Sequence, residues 1–267
     1  MTARDHLVLY YLTLLIMLIS LYFLYKYIEN KKEHDELTEI DKHKSRTLTF
    51  LSHELKTPLA VISGYLELML SGKTGALTDQ QKKSLKITLD NVSKLDGIIN
   101  SILNYFRLEA GKIKPTIEKQ AIRPVIIAIA NAFEPILNKR QIILVKKIEE
   151  NLPKANYDYA LINLVLSNLL DNAIKFSADG SQIELSAEKT ESGQVKVSVK
   201  DQGKGIEQKH LKFITKAFYQ GEEHKQPGLG IGLAVSSEIL KLHNTTLEIE
   251  SEQGKGSKFS FELEKAE

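Results

Sequence analysis

A histidine and a glutamate stand side by side in the stretch FLSHELKTPL, as His53 and Glu54, with Thr57 one helical turn on and Pro58 just beyond. A solvent-exposed imidazole is a good nucleophile when a neighbouring carboxylate orients it and takes its proton. At about 100° per residue, Leu48, Leu51, Leu55, Leu59, Ile62, Leu66 and Met69 gather on one side of a helix. His53 falls nearly opposite that stripe, Thr57 shares its face and Glu54 sits at the flank. This argues against a packed core histidine and leaves two readings, an inert surface residue or a deliberately presented one. Thr57 is placed to position a water or a second reactant. Pro58 lacks a backbone donor and should bend the helix there. The chemistry is permitted but the reaction is not named.

A second set of residues suits a phosphorylated ligand. SNLLDNAIKFS puts Asn168, Asn172 and Lys175 at i, i+4 and i+7, on one face of a helix whose other side is rich in leucine. Asparagine carbonyls are hard oxygen ligands suited to Mg²⁺, and the lysine can meet phosphate. A β-like run then ends at Asp201, followed by Gly203 and Gly205. A carboxylate there can accept an amine hydrogen bond while permissive glycines let backbone approach a planar base. Finally Gly228, Gly230 and Gly232 in GLGIGLA open a helix, where N–H groups can approach phosphate. Taken singly, these read equally well as a polar helix face, a glycine turn and a close-packed loop. The chain has no G-x-x-x-x-G-K-[ST] motif, which excludes a P-loop.

Several elements must carry these groups. The 267 residues suffice for about two compact domains. With 42% hydrophobic and 26% charged residues a folded core is available, and a net charge of +2 gives no case for a nucleic-acid partner. The absence of cysteine excludes disulfides, thiolate metal sites and a cysteine nucleophile. Residues 7–25 are uncharged and long enough for one transmembrane helix in contact with lipid, with tyrosines towards both ends. The run is long for a signal peptide, and no Ala-x-Ala site follows it. Lys26, Lys31 and Lys32 outnumber Arg4, which places the remainder in the cytoplasm, behind a single-pass anchor in the cell (inner) membrane.

The expected organisation is therefore multidomain: an anchor at 1–27, a charged helical linker at 28–45, a helical hairpin at 46–112 and an α/β domain at 113–267. The hairpin joins the stripe above to a second one of Leu85, Leu89, Val92, Leu95, Ile99, Ile102 and Phe106, with Thr78 and Gln81 spaced as a capping box. Two copies paired as a dimeric four-helix bundle would bury both stripes. Beyond it, β-like runs at Gln141–Ile148, Ile183–Glu188, Val195–Lys200, Leu247–Ser251 and Lys258–Leu263 alternate with helical runs. Those helices are expected at Ile122–Lys139, Tyr159–Phe176 and Leu233–Leu242, giving one sheet faced by helices.

In this order the pieces resemble the sensor histidine kinases of two-component signalling. FLSHELKTPLAVISGYLELM resembles the H-box, NLLDNAIKFS the N-box, DQGKGI the G1 box and GLGIGLA the G2 box, and the likeness runs from about residue 45 to 264. The resemblance implies a Bergerat (GHKL) ATP-binding fold, an α/β two-layer sandwich, behind the bundle. It implies that His53 accepts the γ-phosphoryl of ATP with Glu54 as base, and that Thr57 supports dephosphorylation of a response regulator. Asn172 would hold Mg²⁺ with Asn168 nearby, Lys175 would meet phosphate, and Asp201 would take the adenine amine. Gly203, Gly205, Gly228, Gly230 and Gly232 would shape the nucleotide pocket and its lid. The implied partners are a response-regulator receiver domain and a second copy of the chain; separately, the short linker leaves the membrane segment or a partner membrane protein as the expected route of signal input. The alternatives are a protein that acts mainly as a phosphatase of the regulator and a non-catalytic scaffold of the same fold. The chain departs from the family pattern at Thr215 in the F-box, in the short segment from Gly221 to Pro227, and at HNTT, residues 243–246, where a Gly-Gly pair is common.

Overall fold

The computed structural model describes residues 26, 54–220 and 229–266. The expected anchor at 7–25, the linker, His53 and Gly228 lie outside these residues. Among the described residues no helix is long and apolar enough to cross a membrane. The chain divides into two compact units, the second of which begins at Glu54 and is described below.

Helix α1 spans residues 54–70 and runs on through Pro58. A short turn leads to α2, Asp79–Glu109, which opens with the expected capping box. The Gln81 N–H donates to Thr78 Oγ1 at 3.3 Å, and the Thr78 N–H donates to Gln81 Oε1 at 2.9 Å. Two of the helix's orphan donors are thereby satisfied. Leu59 of α1 packs with Ile99 and Leu103 of α2. Leu66 is buried as well, whereas Leu55, Ile62 and Met69 stay uncovered in the single chain, at 49%, 45% and 38% exposed.

The sequence then builds a two-layer domain. Five strands form one sheet: β2 (Ile143–Ile148), β4 (Gln182–Lys189), β5 (Val195–Asp201), β6 (Glu248–Glu252) and β7 (Gly256–Leu263), in the order β2-β4-β5-β7-β6. Only the β2–β4 pair is parallel. Alternation along the strands sends Ile183, Leu185, Val197, Val199, Phe259 and Phe261 into one core. Helices α3 (Ile122–Lys139), α4 (Tyr159–Phe176) and α6 (Gly232–Leu242) cover that face with buried Ile126, Leu166, Leu169, Leu170 and Ile239. Each such side chain, fully buried, contributes about 1.5–3 kcal/mol. The opposite face is polar and carries the Lys196–Glu248 and Lys147–Glu184 ion pairs, both 2.6 Å.

Three features depart from the expected elements. A small sheet of β1 (Glu118–Gln120) and β3 (Ala155–Tyr157), and a one-turn helix α5 (Gln208–Leu211), join the predicted ones. The strand expected from Gln141 begins at Ile143, because Gln141 takes a left-handed φ of 54° at the end of α3. There the Ile142 N–H reaches back to the Leu137 carbonyl at 2.9 Å, closing the helix with a Schellman turn. At HNTT, Asn244 adopts φ 55°, a conformation that asparagine tolerates better than most residues. His243 is buried, its Nδ1 paired with the Ile239 carbonyl at 2.8 Å and its Nε2 accepting the Asp158 N–H at 3.0 Å. The histidine thus ties the end of α6 to the N-cap of α4.

Candidate active site

Asp201 ends β5 and is only 3% exposed. Its Oδ1 accepts the N–H groups of Gly203 at 2.8 Å and Ser257 at 3.3 Å. Oδ2 has no hydrogen-bond partner among the described residues. Burial pushes the carboxyl above its ordinary pKa, and the two N–H donors pull it partly back. A buried acceptor is therefore held rigidly by one oxygen and left open at the other.

The glycines around it serve a purpose that the sequence did not reveal. A Cβ on Gly205, at φ 67°, would lie 1.9 Å from the Glu252 carbonyl oxygen, and one on Gly203 would lie 2.5 Å from that of Phe176. A Cβ on Gly256, at φ 94°, would lie 2.1 Å from the Asp201 carbonyl oxygen. At these positions protein backbone fills the space that a side chain would take. Their absent side chains let the loop after β5 sit against α4 on one side and the β6–β7 turn on the other. Ser251 Oγ supports the same loop by accepting the Ile206 N–H at 2.8 Å. Gly256 and Ser257 were missed as site residues, although the spacing of Gly254, Gly256 and Ser257 carried a signal.

Helix α4 supplies the polar face. Its N-cap Asp158 accepts the Leu161 N–H at 3.0 Å, which fixes the helix start. The three predicted residues differ in their surroundings. Asn168 Nδ2 donates to the Gly232 carbonyl at 3.2 Å and to Ser236 Oγ at 3.3 Å, bracing α4 against α6. Asn172, one turn on, is half-buried and makes no side-chain hydrogen bond among the described residues. Burial lowers the Lys175 pKa, and the Asp171 carboxylate works against that effect. Lys175 Nζ lies 5.1 Å from the centre of the Phe176 ring, and Lys204 Nζ lies 5.0 Å from it. Two cations thus flank the end of α4 beside the Asp201 loop.

Gly230 and Gly232 differ in the same way. Gly230 has φ 67°, and a Cβ there would lie 2.4 Å from the Tyr219 carbonyl oxygen. Its own carbonyl accepts the Phe218 N–H at 3.1 Å, joining the segments on either side of residues 221–228. Gly232 starts α6, and a Cβ there would meet only Asn168 side-chain atoms, at 3.7 Å or more. Among the described residues no side chain caps this helix start, so its N–H groups keep their capacity for an anion. On the hairpin, Glu54 and Thr57 are exposed on α1.

This donor set fits a magnesium–nucleotide ligand. An open carboxylate oxygen suits an exocyclic amine, and the lysine and uncapped helix start suit phosphate. Mg²⁺ typically takes one or two protein oxygens and completes its shell with phosphate and water. Asn172 would be the protein oxygen ligand on this face.

A helical hairpin thus leads into a helix-backed sheet with a buried carboxylate beside an Asn–Lys helix face. Residues 43–111 match the family model of the His Kinase A (phospho-acceptor) domain. Residues 157–267 match that of the histidine kinase-, DNA gyrase B-, and HSP90-like ATPase. The chain belongs to the sensor histidine kinases. It is 33% identical over 232 residues to the Non-motile and phage-resistance protein of Caulobacter vibrioides, covering 84% of this chain and 27% of that protein. It is 30% identical over 234 residues to the Sensor protein SrrB of Staphylococcus aureus, covering 85% of this chain and 39% of that one. The chain therefore spans less than half the length of these relatives. Full-length ShkA, solved in complex with AMPPNP, superimposes with a TM-score of 0.71 at 26% identity, covering 83% of this chain and 46% of that one.

Proposed function

We propose that the protein is a membrane-anchored, homodimeric histidine kinase that autophosphorylates on His53 with Mg·ATP and passes the phosphoryl group to an aspartate of a response-regulator receiver domain. One observation carries this reading: a phospho-acceptor domain and a buried, half-open Asp201 beside Asn172 and Lys175 stand on the same chain. In the reaction His53 attacks the γ-phosphorus, an N–P bond forms and the P–O bond to ADP breaks. Glu54 takes the imidazole proton. Mg²⁺ would neutralise phosphate charge, while Asn172, Lys175 and the start of α6 orient the nucleotide. The AMPPNP bound in the ShkA structure supports ATP as the nucleotide. The uncovered Leu55, Ile62 and Met69 on α1 support pairing with a second copy. The uncharged run at 7–25 supports a single-pass anchor in the cell membrane with the catalytic domains in the cytoplasm, and a partner membrane protein is the proposed input.

The test is incubation of the protein with labelled ATP and Mg²⁺. Acid-labile, alkali-stable phosphate should appear on the wild type and not on His53→Gln. Equal labelling of the variant would refute the assignment.

A further inference from the structure

We propose that Arg140 is a positioning residue of the nucleotide site, clamping the last turn of α4 so that Asn172, Lys175 and the Asp201 loop keep their spacing. The inference rests on the nucleotide reading above. It concerns a residue outside every motif in the sequence.

Arg140 is the C-cap of α3, and its side chain is 29% exposed. Its guanidinium leaves α3 and crosses to the end of α4. Nη1 donates to the Ile174 carbonyl, Nη2 donates to the Ser177 carbonyl at 2.8 Å, and Nε donates to Asp179 Oδ1 at 2.7 Å. The last carbonyls of a helix lack intrahelical partners and carry the negative end of its dipole. A planar fork with five donors, always charged, can serve several such acceptors together, which a lysine cannot. The backbone reinforces the corner, with the Gly180 N–H donating to the Arg140 carbonyl at 3.1 Å and the Ile143 N–H to the Ser181 carbonyl at 2.9 Å.

The clamped turn touches both halves of the site. Phe176 lies between the two carbonyls that Arg140 holds, and its own carbonyl faces Gly203, where a Cβ would be 2.5 Å away. Gly203 donates to Asp201 Oδ1. Lys175 belongs to the same turn, and Asn172 lies just before it. A shift of the helix end therefore moves the proposed phosphate and metal ligands relative to the proposed base acceptor. Ser177 Oγ is buried without a partner, so the hold on this residue is through its carbonyl and not its hydroxyl.

The experiment uses the full chain and measures three quantities: Mg·AMPPNP affinity, KM against kcat for autophosphorylation, and Tm without nucleotide. Arg140→Ala should weaken AMPPNP binding and raise the ATP KM by about tenfold, with kcat at saturating ATP kept within about twofold. Arg140→Lys, with one compact donor group that cannot serve the three acceptors together, should recover only part of the loss and stay at least about threefold weaker than wild type. Ser177→Ala is the control and should leave affinity unchanged. If Arg140→Ala lowers Tm but binds AMPPNP like the wild type, Arg140 is a staple of the fold and the inference is overturned. Should Arg140→Ala fail to fold, Arg140→Lys decides, since affinity and Tm equal to wild type would also overturn it. A wild-type chain that does not bind Mg·AMPPNP would overturn both this inference and the function on which it rests.

Discussion

Replacing Asp201 with asparagine should separate stability from binding. The substitution is isosteric and removes one buried charge. Asn Oδ1 can keep both N–H bonds, from Gly203 at 2.8 Å and Ser257 at 3.3 Å. A flip of the amide would set Nδ2 against those two donors, so the orientation is fixed, and the open position now presents an NH₂ group. Without nucleotide the variant should be at least as stable as wild type at neutral pH. Burial raises the folded-state pKa of Asp201, so the carboxylate's penalty is fully present above that raised value and vanishes below the unfolded value of about 3.9. The stability advantage of Asp201→Asn should therefore shrink as pH falls through this window. Binding should move the other way. An adenine amine loses a charged acceptor and meets a donor, a loss of about 3–4 kcal/mol, or two to three orders of magnitude in affinity. A guanine or hypoxanthine nucleotide, whose C6 carbonyl oxygen accepts, should lose much less. Calorimetric titration with adenine and guanine triphosphate analogues, beside urea denaturation from pH 4 to about 8, measures each part. An Asp201→Asn protein that binds the adenine nucleotide within about threefold of wild type would refute the role of Asp201 as base acceptor.

Three further substitutions test what the backbone does, two around the site and one at the end of α3. Gly205→Ala puts a methyl group into the Glu252 carbonyl at a left-handed φ and should cost about 3 kcal/mol or more in urea denaturation. Gly232→Ala meets only ordinary contacts and should leave stability within about 1 kcal/mol, so any loss of nucleotide affinity assigns Gly232 to phosphate approach. Gln141→Gly relieves the left-handed φ of 54° and should raise stability by about 0.5–1 kcal/mol, read as a higher urea midpoint; no gain would mean that the Gln141 side chain offsets its own strain.

The sequence showed best what depends on periodicity. Helices α3 and α4 were placed at Ile122–Lys139 and Tyr159–Phe176, as observed, because long apolar stripes end there in polar residues and a cap. The strands of the main sheet were found through alternation. The three-residue strands β1 and β3 are too short to show a period and were not found. Asn168, Asn172 and Lys175 were correctly assigned to one helix. Spacing along a helix does not reveal what covers each turn, and α6 takes up the amide of Asn168 while Asn172 stays uncommitted. The glycines marked the site but not their use, since close contact between Gly205 and Glu252 joins residues far apart in the chain. Arg140 gave no signal at all, because its partners are carbonyl groups that belong to every residue alike.

The end of α2 also determines where the protein can be divided. Leu108, near the last turn of that helix, is buried in the core that contains α4 and the sheet, with Ile102 and Tyr105 packed against it, and the Tyr105 ring lies 6.3 Å from that of Phe218. A catalytic fragment cut after the hairpin, at residue 112, would discard a leucine from its own interior and expose an apolar socket. A fragment that begins at about residue 100 would retain these three side chains and should be the more soluble of the two.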